Sequence, residues 1–324
     1  MNIKYFFADN KHTKKIYEAL RDTKNNKVRA AEERRAFSWH GSFEDRQKGH
    51  KKMCMVLAGY KSFLYGATME RLKAYIDPDI DVCIITSGIF SEEIQQLCEK
   101  ENWSYLSTKE NNVAIVQNVA IQLHPGAEWI YKLDEDIFIT EGFFSNMMIA
   151  YEHADSGFYN PGIMAPLIPV NGYGYVRILQ KLGLVENYTK RFEKPQYSTG
   201  PERNIEGDPQ AAQFMWGGLQ SSIPSIDEMA KRFQNEPLEE RPCPIRFSIG
   251  AVLFARSFWE EMRYFTVHTG NGMGYDEEQI CQWCALHARP IMVSENIVVG
   301  HLSFGPQNVL MKDYFLTHPE KFSV

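Results

Sequence analysis

Between residues 51 and 134 the chain alternates short apolar runs with segments of helical spacing, and few folds accept that order. The runs 53–58, 81–86, 103–107 and 129–133 are too short for buried helices and suit buried strands. Between them, 63–76 and 112–123 repeat their apolar residues at helical intervals, and Ser91 followed by Glu92 and Glu93 marks a capped helix start. Asp77-Pro78 and Pro125-Gly126 break two of these helices. Strand and helix in strict alternation predict an α/β domain with a doubly wound, mostly parallel sheet.

The remainder reads less regularly. Strands are expected at 162–170, 244–255 and within 290–301, and helices at 175–190, 257–264 and 276–287. From 195 to 244 the chain is rich in Pro, Gly, Asn and Gln, and only 226–233 reads as helix. Such an insertion forms binding loops over a rigid scaffold. Residues 1–50 read as a helical extension, with helices at 14–20 and 27–37 interrupted at Asn25-Asn26. The main domain is therefore expected to occupy 51–324.

Composition narrows the classes. A hydrophobic share of 44% with 13% aromatics excludes a disordered chain. No apolar run approaches the roughly 18 residues of a membrane helix, and Met1 to Asn10 lacks the apolar core of a cleaved secretory signal. The six scattered cysteines read as reduced thiols, which fits a cytoplasmic protein. Net charge is −6, yet residues 1–52 hold fourteen Lys/Arg against seven Asp/Glu. The acidic balance argues against nucleic acid as a partner. The basic leader could meet an anionic membrane from its inner face, or a partner protein, or remain a solvated helix face.

Chemistry concentrates where the fourth strand ends, at Leu133-Asp134-Glu135-Asp136. Ligands of a doubly wound sheet bind at the carboxyl ends of its strands. Three adjacent acids there repel one another unless a cation neutralises them, and hard cations such as Mg²⁺ or Mn²⁺ take oxygen ligands shared with substrate phosphates. An acidic turn is the competing account. Farther on, Gly270, Gly272 and Gly274 precede Asp276, Glu277 and Glu278 at a helix start, where acids also serve as ordinary caps. His301 follows the last strand between Gly300 and Gly305. Cys281 and Cys284 lack the second cysteine pair of a structural zinc site and read as packing thiols on one helix face.

These motifs, in this order, resemble bacterial-type GT-A nucleotide-sugar-dependent glycosyltransferases, whose Asp-X-Asp element matches Asp134-Glu135-Asp136. The resemblance spans most of 51–312, at low similarity outside the motifs. It implies a GT-A sheet with a nucleotide-binding half, 51–140, and an acceptor-binding half, 141–324. It implies that Asp136 ligates Mn²⁺ or Mg²⁺, with Asp134 touching ribose, donor sugar or metal, Glu135 assisting and His301 as a further metal ligand. It places the nucleotide on the turn Ala58, Gly59, Tyr60 and Lys61, with Tyr60 able to stack on the base, Ser87 at the same sheet edge, and Gln117 and Asn118 facing the base. It assigns the acceptor's proton to Asp276 or Glu277, with the choice among the three acids open because the usual pattern is Glu-Asp. Trp216, Tyr173, Tyr175 and Trp259 are candidate acceptor platforms, since aromatic faces stack on sugars.

The implied activity is hexosyl transfer from a nucleotide-diphosphate sugar, UDP-sugar favoured, to a saccharide or lipid-linked glycan in polysaccharide biosynthesis, with inversion. Retaining transfer is the nearest alternative. A nucleotide-sugar pyrophosphorylase would need a Gly-rich, basic first loop that Ala58 to Gly66 lacks. A carbohydrate-binding relative without catalysis would not need the acids and histidine.

Overall fold

The computed structural model describes residues 13–323; the reading of Met1 to Asn10 lies outside the described residues. Helix α1 (Lys14–Ala36) leads to β1 (Gly41–Glu44), and the alternating region follows as β2 (Lys52–Ala58), α2 (Tyr65–Tyr75), β3 (Ile80–Ser87), α3 (Glu92–Glu101), β4 (Ser104–Thr108), α4 (Val113–Leu123) and β5 (Trp129–Asp134). Strands β4, β3, β2 and β5 lie side by side in that order, all parallel. Ser91 caps α3 through the amide of Ile94, and Asn112 caps α4 through that of Ile115. The register pairs Ala58 with Thr86 and Leu57 with Asp134. The ends of β2, β3 and β5 therefore share one sheet edge, which is where the candidate residues were expected.

Beyond Asp134 come β6 (Ile137–Phe138), α5 (Phe143–Asp155), β7 (Ile163–Leu167), α6 (Gly174–Leu182), α7 (Val185–Thr189), α8 (Asn204–Gly207), α9 (Pro209–Met215) and α10 (Ile226–Phe233). The chain continues through β8 (Glu240–Pro242), β9 (Ala251–Ala255), α11 (Arg256–Glu261), α12 (Tyr275–Leu286), β10 (Ile291–Val298), β11 (Gly300–His301) and α13 (Asn308–Thr317). The main sheet has the order β1-β4-β3-β2-β5-β9-β7-β10-β8. Strands β1, β9 and β8 run against the other six. The sheet is thus mostly parallel and doubly wound, and β6 pairs with β11 in a separate two-stranded ribbon.

Several sequence expectations change. The leader is one helix through Asn25 and Asn26, because each Asn costs a helix under about 0.7 kcal/mol and the surrounding Lys, Arg, Glu and Ala are strong helix formers. Residues 41–44, expected in the extension, lie in the sheet against β4. The helix expected over 175–190 is two, divided at Gly183. The stretch 195–244 holds α8, α9 and β8 besides α10. Helix α9 starts with Asp208 capping Gln210 and Pro209 in the first turn, and it buries Ala211, Ala212, Phe214 and Met215. The strand expected from 244 begins only at Ala251, and the last strand divides at Val299.

The two halves share one core. Arg71 on α2 is fully buried. It binds Asp227 of α10 through two nitrogens at 2.9 and 2.7 Å, and donates to the carbonyls of Ile139 and Phe322, each at 3.1 Å. A buried guanidinium is tolerated only when its donors are met this fully.

Candidate active site

Each of the three acids ending β5 has its own partners. Glu135 is buried and turns back toward β2: it accepts from the amide of Gly59 at 2.9 Å, the amide of Tyr60 at 3.1 Å and the hydroxyl of Tyr65 at 3.1 Å. Burial raises its pKa, and the backbone donors oppose the rise. The acid thereby fixes the loop 59–61. Gly59 has φ +123, and a side chain there would meet Ile89, so the loop's path requires glycine. Gly88, at φ +73, sits so close to Asn111 that a Cβ would fall 2.4 Å from that residue's own.

The loop projects Tyr60. The residue is 58% exposed, while its hydroxyl donates to the carbonyl of Ser87 at 2.6 Å. A flat aromatic face is thus pinned across the ends of β2 and β3 and stays open to solvent, an arrangement suited to stacking a ligand base. Ala58 and Ser87 are buried beneath it.

Asp134 is held by Lys132, whose ammonium is 2.6 Å from Oδ1 and also donates to the carbonyl of Ile249 at 2.9 Å. Burial raises the pKa of Asp134, and Lys132 opposes this. Asp136 is buried, with Oδ2 2.5 Å from Nζ of Lys61 and 3.2 Å from Nε2 of His301. Burial alone would raise its pKa, but His301 and Lys61 outweigh it and hold the carboxyl well below its usual range. The ribbon makes the meeting: His301 pairs with Ile137 across β6 and β11, next to Asp136 in the chain.

Among the described residues, no group of three or more His, Cys, Asp or Glu side chains is arranged to hold a metal ion. Of the expected ligands Asp134, Asp136 and His301, the last two meet at 3.2 Å, while Asp134 is paired with Lys132 through Oδ1. The pair Asp136 and His301 does fit a cation. Nδ1 of His301 lies 3.3 Å from the carbonyl of Val170; with the proton on that nitrogen, Nε2 offers a lone pair, as a metal ligand must. The 3.2 Å between Oδ2 and Nε2 is a hydrogen-bond separation, and a carboxylate oxygen with an imidazole nitrogen is a donor set that Mn²⁺ accepts. Small hard cations usually take one or two protein carboxylates and fill the remaining positions with water and substrate phosphates.

Across the site, Asp276 opens α12, is buried, and accepts from the amide of Gln117 at 3.0 Å. Glu277 instead forms an ion pair with Arg246, and Arg246 also lies 3.7 Å from Glu278. Burial raises the pKa of Glu277, against the pull of Arg246. The glycine loop before α12 is fastened by Asn112, whose amide donates to the carbonyls of His268 and Gly270, each at 3.0 Å.

Other expected residues lie elsewhere. Asn118, expected to face the base, is fully buried, donating to the carbonyl of Phe265 and accepting from Trp259 and the amide of Phe265. Helix α4 packs against both the sheet and α1, so its polar residues serve internal contacts. Trp216, Tyr173, Tyr175 and Trp259 are all core residues, leaving no open face for a sugar. Cys281 and Cys284 are free thiols on α12. Sequence reasoning passed over Lys132, Asn112, Tyr65 and Arg246. A lysine in the apolar run Trp129 to Leu133 was the one overt signal; the others needed the fold.

No family model and no curated protein matches the chain. Among solved structures it is similar to GalNAc-T7 with UDP, GalNAc and Mn²⁺, at 12% identity and TM-score 0.45 over 85% of this chain and 52% of that one. It is also similar to a mannosyltransferase from Pyrobaculum calidifontis in complex with GDP-Man and Mn²⁺, at 11% identity and TM-score 0.45, covering 83% and 62%. A third is S. aureus TarS 1–349 in complex with UDP, at 10% identity and TM-score 0.44, covering 77% and 60%. The chain spans between about half and three-fifths of the length of these chains.

Proposed function

We propose that the protein is a glycosyltransferase that moves a hexosyl group from a nucleotide-diphosphate sugar, UDP-sugar favoured, to a saccharide or glycan acceptor with inversion. The observation that carries this reading is the meeting of Asp136 and His301 at the sheet edge that also holds the Gly59–Lys61 loop and the open ring of Tyr60. A base platform, a phosphate-side cation site and a carboxylate across the gap are what donor cleavage and acceptor deprotonation each require.

In this reading Tyr60 stacks on the base, and Glu135 holds the backbone that presents it. Asp136 and His301 hold Mn²⁺ or Mg²⁺, which when bound supplies Lewis-acid stabilisation of the departing diphosphate. Lys132 holds Asp134 through Oδ1 and opposes the rise that burial gives its pKa, and Asp134 accepts from sugar or ribose hydroxyls of the donor. Asp276 is the better base of the two candidates. Gln117 orients it without neutralising it, whereas Arg246 holds Glu277 in an ion pair that must be broken before that acid can take a proton. Residues 51–140 serve chiefly the donor and 141–324 chiefly the acceptor, except that His301 reaches across to the donor's cation and Gln117 to the acceptor's base.

The test is a panel of nucleotide sugars assayed for Mn²⁺-dependent donor hydrolysis and transfer, with Asp136→Asn alongside. The variant should lose roughly a thousandfold or more in turnover, within the several kcal/mol attributed to a metal's charge stabilisation. Full activity of Asp136→Asn, or of the native protein in EDTA, removes the metal from the mechanism. No turnover of any donor removes the transferase reading.

A further inference from the structure

The two lysines beside the acid cluster are held in different ways. Lys132 is almost wholly buried and has two fixed partners, Asp134 and the carbonyl of Ile249. Lys61 lies in the loop after Gly59, its side chain is one-quarter exposed, and Asp136 is its hydrogen-bond partner among the described residues. Beyond that bond, its ammonium is drawn by Glu135 and Asp134. The first lysine is built into the strand, whereas the second has an exposed side and can swing.

The oxygen that Lys61 occupies is the one that faces His301. An ammonium at hydrogen-bond distance and a divalent cation cannot share Oδ2 of Asp136 without strong like-charge repulsion. Lys61 and Lys132 already offset part of the acid cluster's charge, so a divalent ion arriving alone gains less than it would from bare carboxylates and must displace Lys61 from Oδ2. A diphosphate arriving with the ion changes the balance, because it offers Lys61 a new anionic partner on the open side of the site.

We infer that Lys61 is an exchangeable cation that guards the metal site: it pairs with Asp136 until metal and nucleotide diphosphate arrive together, then moves to the diphosphate. The inference rests on the proposed donor-site reading. Its consequence is thermodynamic. Metal and nucleotide must each raise the other's affinity by the same factor, and Lys61 carries part of that coupling.

The experiment is Mn²⁺ binding, followed by electron paramagnetic resonance and calorimetry, to the whole protein with and without saturating UDP. In the native protein UDP should tighten Mn²⁺ at least about fivefold, the lower end of ordinary coupling. Lys61→Met should bind Mn²⁺ alone at least about fivefold more tightly than the native protein and lose most of the coupling. Lys61→Arg, which keeps a cation, should keep the low affinity for metal alone. Should Lys61→Met fail to fold, Lys61→Gln carries the same expectation. Unchanged Mn²⁺ affinity in the neutral variant overturns the inference, as does Mn²⁺ failing to bind any form with UDP present. If the coupling behaves as stated but no nucleotide sugar is cleaved or transferred, the exchange stands and the transferase reading falls. Transfer that persists in EDTA without Mn²⁺ binding has the opposite meaning.

Discussion

The stretch from β2 to β6 and the chain beyond it bring residues to the same sheet edge by different means. In the first, β2, β3 and β4 follow one another across the sheet, β5 returns to the other side of β2, and the site is closed by contacts such as Glu135 to the amides of Gly59 and Tyr60. In the second, the useful residues follow irregular segments and arrive by long-range ties. His301 comes in on the ribbon with β6, Asp276 meets Gln117, and the glycine loop hangs on Asn112. Two of these ties start from α4, an element of the first stretch. Both stretches thus contribute to one edge, the first through loop contacts around Glu135 and Asp136 and the second through His301, Asp276 and the glycine loop tied onto it. Damage to the ties from Gln117 and Asn112 should impair the proposed base while sparing donor binding, whereas loss of His301 should weaken the donor's cation site.

The sharpest break of that contrast is the base itself. Asp276→Asn should lower turnover by about 10²–10⁴-fold, the range for a lost general base, with donor affinity nearly unchanged. Glu277→Gln should be much milder, since that acid is already spent on Arg246. Initial rates and donor binding measured on both variants decide the order, and the anomeric configuration of the product decides the stereochemistry. If the Glu277 variant is the dead one, or the product keeps the donor's configuration, the assignment of Asp276 is wrong.

A smaller effect tests the ties. Asn112→Ala removes the cap of α4 and both hydrogen bonds to the glycine loop. Losing the cap should cost about 1 kcal/mol of stability, read by urea denaturation. The loosened loop should lower kcat by roughly tenfold, the 1.4 kcal/mol cost of one misplaced group, while UDP affinity stays within about twofold. Equal losses in UDP affinity and kcat would show that the two sides are not separable.

The same contrast explains what the sequence could reveal. The parallel sheet and its acidic edge were legible because an apolar strand changes within one residue to Asp134-Glu135-Asp136, and because strands and helices alternate strictly from 52 to 134. His301 was legible from its glycine-flanked place after the last strand. The division of labour among the three acids was not, since it depends on Lys132, Tyr65 and Lys61 reaching them in space. Aromatic residues misled for a related reason. A Trp or Tyr that stacks on sugar and one that fills a core look alike in sequence, and Trp216 spends its indole N–H on the carbonyl of His301. The helix α9 was missed despite a readable start at Asp208-Pro209, because the Gly- and Pro-rich surroundings were given more weight.

The smallest expected effect concerns the leader. Helix α1 is exposed along nearly all of its length, but its end is anchored: Ala36 is buried, and Phe37 meets Tyr264 edge-on at 4.7 Å. Strand β1 then extends the sheet. A truncation at Lys51 would therefore strip a strand from the sheet, whereas one beginning at Phe37 removes only the exposed helix and the residues before it. The shorter deletion should lower the melting temperature by a few degrees at most, for the loss of buried Ala36 and the contact of α1 with α4, and leave transfer to a soluble acceptor unchanged within error. If the basic charge of the leader serves to meet an anionic surface, that same protein should lose the sedimentation with anionic vesicles that the full chain shows at low salt. The attraction should also fade as salt shortens the screening length to about 8 Å at physiological ionic strength. A full-length chain that ignores anionic vesicles at low salt would leave α1 without a membrane role. A deletion from Phe37 that lowers activity would place the helix in the acceptor side's long-range ties, through Phe37, Tyr264 and Trp259.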